Sequence, residues 1–341
     1  MGTSDTNRND DSVMIIAEAG INHNGDLDLA MRLVDAAKAA GADVVKFQTG
    51  NASASITKYA NTADYQKDST GSDQQLAMIE QLELPFTAYI DIKNYCDEVG
   101  IEFGTTFFDK EAAEFSLQNL DLGFCKVASG EITNRPLLEI IGSSHLPVIL
   151  STGMCTLEEV EDAVAVLRES GCGEITILHC TTEYPAPKDQ INLRAMPAMG
   201  EYFGLPFGYS DHTEGIEVPV AAVAMGARVI EKHLTLDKTM DGPDHKASLE
   251  PDEFALMVEK IRNIEGALGC AEKTPGDAEQ KNRAIARKSI VAKHDIKAGD
   301  LLTEDNITVK RPGTGISAMR WHDVLGTHAI QDFEQDEMIV L

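Results

Sequence analysis

The feature that most limits what this chain can fold into is an alternation. From residue 13 to about residue 270, short apolar runs rich in β-forming residues take turns with longer segments of helical period. The runs are Met14–Gly20, Asp43–Thr49, Glu102–Phe107, Phe124–Ser129, Pro147–Thr152, Ile175–Thr181, Phe207–Asp211 and Val229–Leu234. Most are apolar from end to end, as strands covered on both faces must be. Two helices between them are easily read. Asp26–Ala40 puts Leu27, Ala30, Met31, Val34 and Ala37 on one face, and Gly41 follows as a C-cap. Thr156 and Glu159 form a capping box ahead of Val160–Glu169, which stops near Gly171. Eight strand–helix units in this length predict a (β/α)8 TIM barrel over 13–270. The rival is an open doubly wound sheet, but no Gly-x-Gly-x-x-Gly turn follows the first run to support it.

The pattern changes on both flanks. Residues 1–12 are polar and acidic and read as a disordered tail. Residues 271–283 are polar around Pro275 and Gly276 and read as a linker. From 284 to 341 come short β-like pieces, Ser289–Ala292, Leu301–Leu302, Ile307–Val309 and Met338–Val340, which predict a separate small β-rich domain. With 43% hydrophobic residues the chain has ample core material, yet no apolar run is long enough to span a bilayer. We therefore expect no membrane partner. The net charge of −27 excludes nucleic acid, which needs a basic footprint. It also means that any anionic substrate must find its positive field locally. The six cysteines contain no Cys-x-x-Cys pair and read as free thiols of a cytoplasmic protein.

Position, more than composition, points to function. At or near the C-terminal ends of the runs stand Glu18, Lys46, Gln48, Thr105, Thr106, Lys126, Ser129, Ser151, Thr152, His179, Ser210, Asp211, His212 and His233. A barrel gathers these ends at one mouth, where active sites are built. Singly, each has a plain reading: a core histidine, or a hydroxyl capping the next helix. Their recurrence at nearly every strand is harder to explain that way, because buried Lys and Glu are costly unless paired or used. Lys46 and Lys126, with Ser129, Ser151 and Ser210, suit an anion with several oxygens. His212 and His233 end neighbouring strands and could share a metal. Glu18, Asp211 and Asp244 are candidate acid–base groups. A metal-dependent hydrolase would place His-x-His on the first strand. Here the stretch is Asn22-His23-Asn24, outside the strand. A Schiff-base aldolase using Lys126 stays open at this level, although the two histidines favour metal activation.

At these same residues the chain resembles the bacterial sialic acid synthase family. The matching stretches are Ala17-Glu18-Ala19-Gly20-Ile21-Asn22-His23-Asn24-Gly25, Val45-Lys46-Phe47-Gln48-Thr49, Lys126-Val127-Ala128-Ser129-Gly130-Glu131, Leu150-Ser151-Thr152-Gly153-Met154, and His179-Cys180-Thr181-Thr182-Glu183-Tyr184-Pro185. Tyr209-Ser210-Asp211-His212-Thr213, Glu231-Lys232-His233, Gly242-Pro243-Asp244-His245 and Lys310-Arg311-Pro312-Gly313-Thr314-Gly315 complete them. The resemblance runs from residue 13 to 341, and the tail is similar to the family's antifreeze-like (SAF) domain. It implies a manganese- or magnesium-dependent condensation of phosphoenolpyruvate with an acylated mannosamine sugar. His212 and His233 match the metal ligands; Lys46, Lys126, Ser129, Ser151 and Ser210 match the phosphoenolpyruvate contacts, with Thr106 nearby. Glu18, Gln48, Tyr184 and Asp244 match positions around the sugar and the reacting carbons. Arg311 matches an arginine that reaches the sugar of a partner subunit, which implies a domain-swapped homodimer. Some members using N-acetylmannosamine have Asn in the stretch where this chain has Thr181-Thr182-Glu183, with Thr182 against the sugar. N-acetylmannosamine is the first expectation for the acceptor, and 2,4-diacetamido-2,4,6-trideoxymannose, giving legionaminic acid, is the alternative. A third reading makes the antifreeze-like tail the mark of an ice-binding or scaffold protein, but it leaves the polar strand ends without a purpose.

Overall fold

A computed structural model describes residues 12–63, 66–67 and 71–341. The expected tail at 1–12 thus lies, apart from Ser12, outside the described residues. The chain divides between Gly269 and Cys270 into two units.

The first unit is a closed barrel of eight parallel strands in sequential order. They are β1 (Met14–Gly20), β2 (Val44–Thr49), β3 (Glu102–Phe107), β4 (Cys125–Val127), β5 (Val148–Ser151), β6 (Ile175–Cys180), β7 (Phe207–Asp211) and β8 (Val229–His233). Each falls within the expected run. Around them stand α1 (Leu27–Ala39), α2 (Phe86–Val99), α3 (Lys110–Asn119), α4 (Arg135–Gly142), α5 (Leu157–Glu169), α6 (Ala195–Phe203), α7 (Glu217–Ala224) and α8 (Pro251–Leu268). The helix signals act as read. The Asp26 carboxylate accepts from the Asp28 and Leu29 amides at 2.8 and 3.1 Å, and Gly41 takes a positive φ of 83° after the last turn. The capping box of Thr156 and Glu159 is formed at α5.

Strand alternation sorts the side chains into two compartments. Outward residues such as Ile15, Ala17, Val45 and Phe47 pack against the helices in one continuous core. Inward residues Ile16, Val44, Phe124, Ile149, Leu178 and Val229 form a small apolar cluster of their own inside the barrel. Gly104 on β3 makes room in this interior: a Cβ there would sit 3.0 Å from Phe124 and 3.3 Å from the Lys46 stem. No helix among the described residues is long and apolar enough to cross a membrane.

The second unit, Cys270–Leu341, is built on an antiparallel pair, β9 (Ser289–Ala292) and β10 (Ile307–Lys310). Its core includes Ile290, Ala292, Ile296, Leu302, Ile307, Val324, Phe333 and Ile339. The runs read at Leu301–Leu302 and Met338–Val340 appear as single bridges, Leu301 with His328 and Met338 with Val291. The segment read as a linker, 271–283, is helical in part. α9 spans Asp277–Ala286 and has no buried residue, so it carries no apolar stripe for a period-based reading to detect.

Candidate active site

Register builds the site. Glu18 on β1 pairs with His233 on one side and Lys46 on the other. Gln48 aligns with Thr106, Thr106 with Lys126, and Ser210 with Glu231. These residues share the inward parity of the apolar cluster and lie beyond it along the strands, so a charged layer covers an apolar floor.

The charged layer is tightly connected. Lys46 Nζ lies 2.5 Å from Glu18, donates to Thr106 Oγ1 at 2.8 Å, and is 3.6 Å from Glu231. Lys126 Nζ donates to Ser151 Oγ at 2.7 Å and is also 3.6 Å from Glu231. Ser210 Oγ donates to Glu231 at 2.8 Å. Both lysines are 2% exposed. Burial works to lower Lys46, but Glu18 and Glu231 outweigh it and raise its pKa. Lys126 is lowered, because burial exceeds the pull of Glu231. Burial would raise Glu231, yet Lys126 and Lys46 bring it down to about 2. Glu18 is raised: burial dominates the opposing effect of Lys46, and Glu231 adds to the rise.

Glu18 is steadied by Gln48, whose Nε2 donates to it at 3.0 Å, while Tyr89 Oη holds the Gln48 carbonyl at 2.6 Å. Gly20 closes β1 at a positive φ of 54°, with a hypothetical Cβ 3.2 Å from the Glu18 carboxylate and 3.3 Å from Gln48. The glycine thus permits both the turn and the approach of the two side chains. Across the site, Ser129 Oγ accepts from the Gly153 amide at 2.9 Å and lies 3.1 Å from Cys180 Sγ. The Thr182 hydroxyl oxygen is buried without a hydrogen-bond partner.

The two histidines stand side by side, ring centroids 5.6 Å apart, with the Tyr184 ring 4.1 Å from His212 and 5.6 Å from His233. His212 Nδ1 donates to the Thr181 carbonyl at 2.7 Å, which leaves a lone pair on Nε2. Burial lowers His212, and burial with the neighbouring His212 takes His233 well below the usual histidine range, which favours the neutral form of both rings. His233 Nδ1 is buried with no hydrogen-bond partner and lies 4.0 Å from Asp244. Burial, then Glu18, raises Asp244 to about 7. Neutral imidazoles with carboxylates nearby fit a divalent transition metal. Among the described residues no three His, Cys, Asp or Glu side chains are grouped to hold one.

One cavity of about 440 Å³ is lined by every residue that the family resemblance assigns to the site except Arg311: Glu18, Lys46, Gln48, Thr106, Lys126, Ser129, Ser151, Thr182, Tyr184, Ser210, His212, His233 and Asp244. Arg311 lies in the second unit, where its Nε donates to the Ala286 carbonyl at 3.1 Å. Four other polar residues read at the strand ends belong to the scaffold instead, among them Thr105, which is fully buried with its hydroxyl 2.7 Å from that of Thr49. Asp211 forms an ion pair with Lys232 at 2.5 Å and caps Thr213, which removes it as an acid–base candidate. His179 bonds the Ile191 carbonyl at 2.7 Å, and Thr152 donates to the Leu178 carbonyl. His23 is a core histidine whose Nδ1 accepts from the Gly25 amide.

The sequence reading missed Glu231, the carboxylate between the two lysines. The signal was present, since Glu231 precedes His233 by two residues on one strand and must share its inward face. It also missed the wall contributed by Ile56, Gln75, Ile79, Leu82 and Glu83, from the segment between β2 and α2.

Comparison with known proteins supplies a context for this geometry. The profile of the NeuB family matches residues 33–273, and that of the SAF domain matches residues 287–341. The N,N'-diacetyllegionaminic acid synthase of Campylobacter jejuni is 49% identical, covering 96% of this chain and 98% of its own. The enzyme of the same name from Legionella pneumophila is 45% identical over 92% of this chain and 89% of its own. Among solved structures, the N-acetylneuraminic acid synthetase of Leptospira borgpetersenii in complex with citrate superposes with a TM-score of 0.72. It has 35% identity and covers 80% of this chain and 90% of that one.

Proposed function

The chain belongs to the NeuB family of sialic acid synthases, and on that premise we propose that it condenses phosphoenolpyruvate with an acylated amino-sugar aldehyde, releasing phosphate. The observation that carries this reading is the pair of buried lysines, each 3.6 Å from Glu231 and surrounded by hydroxyls. A cation pair in a protein of net charge −27 is a local field for a small polyanion.

In this mechanism Lys46, Lys126, Ser129, Ser151 and Ser210 hold the phosphate and carboxylate of phosphoenolpyruvate, with Thr106 fixing Lys46. C3 of the enol ester forms a bond to the aldehyde carbon of the sugar, and the aldehyde oxygen takes up a proton. Positive charge then develops at C2, where Glu18 is our candidate to stabilise it or to take a proton from the incoming water. Addition of that water gives a tetrahedral carbon, which collapses to the keto acid as the phosphate leaves. A divalent cation, manganese or magnesium, at His212 and His233 would polarise the aldehyde oxygen. Tyr184, Gln48 and Asp244 border the space left for the sugar.

For the acceptor we place 2,4-diacetamido-2,4,6-trideoxymannose first, giving N,N'-diacetyllegionaminic acid. Two relatives of that name match nearly the whole chain, and Thr182 stands in the stretch where some users of N-acetylmannosamine carry Asn. This reverses the order reached from sequence alone. The test is phosphate release from phosphoenolpyruvate against a panel of acylated mannosamine sugars, in a metal-stripped enzyme with manganese or magnesium restored. No release with any acceptor would remove the reading, and faster turnover of N-acetylmannosamine would restore the first expectation. A Schiff base on Lys126 is the rival chemistry, and borohydride should trap no adduct there. We further infer that the enzyme works in the cytoplasm as a homodimer in which Arg311 completes the partner's site. Mixed Arg311→Ala and His233→Ala subunits should regain activity that neither variant has alone.

A further inference from the structure

Two sequence features have no part in the chemistry above: the Asn22-His23-Asn24 stretch after β1 and the histidine that follows Asp244. Their side chains meet across the barrel mouth. Asn22 Nδ2 donates to the Leu234 carbonyl at 2.9 Å and to Ser248 Oγ at 3.0 Å, and Ser248 Oγ donates to the Asp244 carbonyl at 2.7 Å. Asn24 Nδ2 donates to the Asp241 carbonyl at 2.9 Å, so its Oδ1 is the acceptor facing His245 Nε2 at 3.2 Å. That fixes the tautomer. The proton sits on His245 Nε2, and Nδ1 accepts from the Thr235 hydroxyl at 2.7 Å. Asn22, Thr235, His245 and Ser248 are all 3% exposed or less. Gly242 is required for this packing: its φ is 153°, and a Cβ there would lie 2.6 Å from the His245 ring.

Asp244 stands between the two relays. Its carboxylate meets no hydrogen-bond donor among the described residues, and His233 Nδ1 lies 4.0 Å from it, beyond hydrogen-bond reach. Where that carboxylate points is therefore decided by its backbone. The backbone is held on one side by Ser248 and on the other by the anchored His245 ring.

We propose that His245 and Ser248 are positioning residues: the Thr235–His245–Asn24 and Asp244–Ser248–Asn22 relays clamp residues 235–249 to the turn after β1 and so aim Asp244 at the acceptor sugar. The part of this that concerns the acceptor rests on the function proposed above; the clamp itself does not. Two measurements on the full-length enzyme separate them. The first is amide hydrogen exchange without substrate. His245→Ala should speed exchange about tenfold within 239–249, as expected for the loss of an ordinary hydrogen bond or two, and leave β2 to β5 unchanged. Unchanged exchange in 239–249 overturns the clamp, whatever the enzyme acts on.

The second is steady-state kinetics with phosphoenolpyruvate and the diacetamido sugar. His245→Ala should raise the acceptor KM about tenfold, or lower kcat by that factor, with the phosphoenolpyruvate KM within twofold of the parent. His245→Gln, which restores a donor toward Asn24, should recover most of the loss. Combining His245→Ala with Thr235→Val should add nothing, because both break one relay, whereas adding Ser248→Ala should deepen the defect. Should His245→Ala not fold, Thr235→Val removes the same relay without changing volume and carries both tests. Parallel rises in both KM values, or an unchanged kcat with both KM values unchanged, would overturn the aiming role. An unmodified enzyme inactive on every acceptor would instead overturn the proposed function, while hydrogen exchange still decides the clamp.

Discussion

The same eight strands build two interiors of opposite character. At the floor, Ile16, Val44, Phe124, Ile149, Leu178 and Val229 fill the barrel as a hydrocarbon plug. Beyond it on the same inward parity come Glu18, Lys46, Lys126, Ser151, Leu178's successor Cys180, Ser210 and Glu231. On β1, β2, β4, β5 and β8 the change takes two residues: Ile16 to Glu18, Val44 to Lys46, Phe124 to Lys126, Ile149 to Ser151, Val229 to Glu231. The floor gains by leaving water. The charged layer gives up solvation and regains only part of it through its ion pairs and hydrogen bonds, an arrangement that persists where charge is useful. The floor should therefore govern stability, and the charged layer both stability and chemistry.

The sharpest break comes from Lys46→Met, which leaves Glu18 and Glu231 in the interior without their shared cation. Removing one member of a buried pair costs about 3–5 kcal/mol. Urea unfolding should show that loss, and turnover should fall with it. An unchanged midpoint would mean that the pair is compensated elsewhere. At the floor, Leu178→Ala should cost about 2–5 kcal/mol by leaving a cavity. It should also leave the phosphoenolpyruvate KM of the folded enzyme alone, and a shifted KM would show that the two layers are mechanically coupled.

His23 tests the outer, helix-facing side of the same sheet. Its ring lies 6.1 Å from Phe47, and burial lowers its pKa from 6.5 to about 4. An unfolded chain therefore takes up this proton at a higher pH than the folded one. The contribution to stability is complete above pH 6.5 and disappears as pH falls from 6.5 to 4. It is on the order of 3 kcal/mol. His23→Asn, which keeps an acceptor for the Gly25 amide, should flatten that part of the stability curve in thermal scans from pH 7 to 4. Scans parallel to the parent would place the acid loss elsewhere. The smallest effect is expected from Thr182→Val. The hydroxyl oxygen has no partner to lose, so the unfolding midpoint should stay within about 0.5 kcal/mol. The acceptor KM should nevertheless rise several-fold; no change in it would take Thr182 out of the sugar site.

Much of this contrast is legible in the sequence, because strand position and apolar runs follow from local rules. What needs more care is parity. His179 and Asp211 were read as mouth residues since they end strands, but Cys180 and Ser210 are the inward neighbours. The one-residue offset sends His179 to the Ile191 carbonyl and Asp211 to Lys232. The same rule applied from His233 would have found Glu231. The wall formed by Ile56, Gln75, Ile79, Leu82 and Glu83 lies beyond such rules, because loops and the short helix Gln75–Glu80 have no strand register to place them. Helix α9 lacked a buried face, and with it the period that gives helices away.

The pairing of β1 with β8 carries a consequence for how the protein is made. Glu18 and His233 become neighbours only across this seam, although 215 positions separate them along the chain. During synthesis β1 emerges early and waits for its second partner until nearly the whole barrel has been translated. Until then the growing sheet presents two unpaired edges rich in Val, Ile and Phe, which can pair with other chains. The last closure that removes these edges also brings His233 to Glu18, so aggregation resistance and the complete site arrive in the same step.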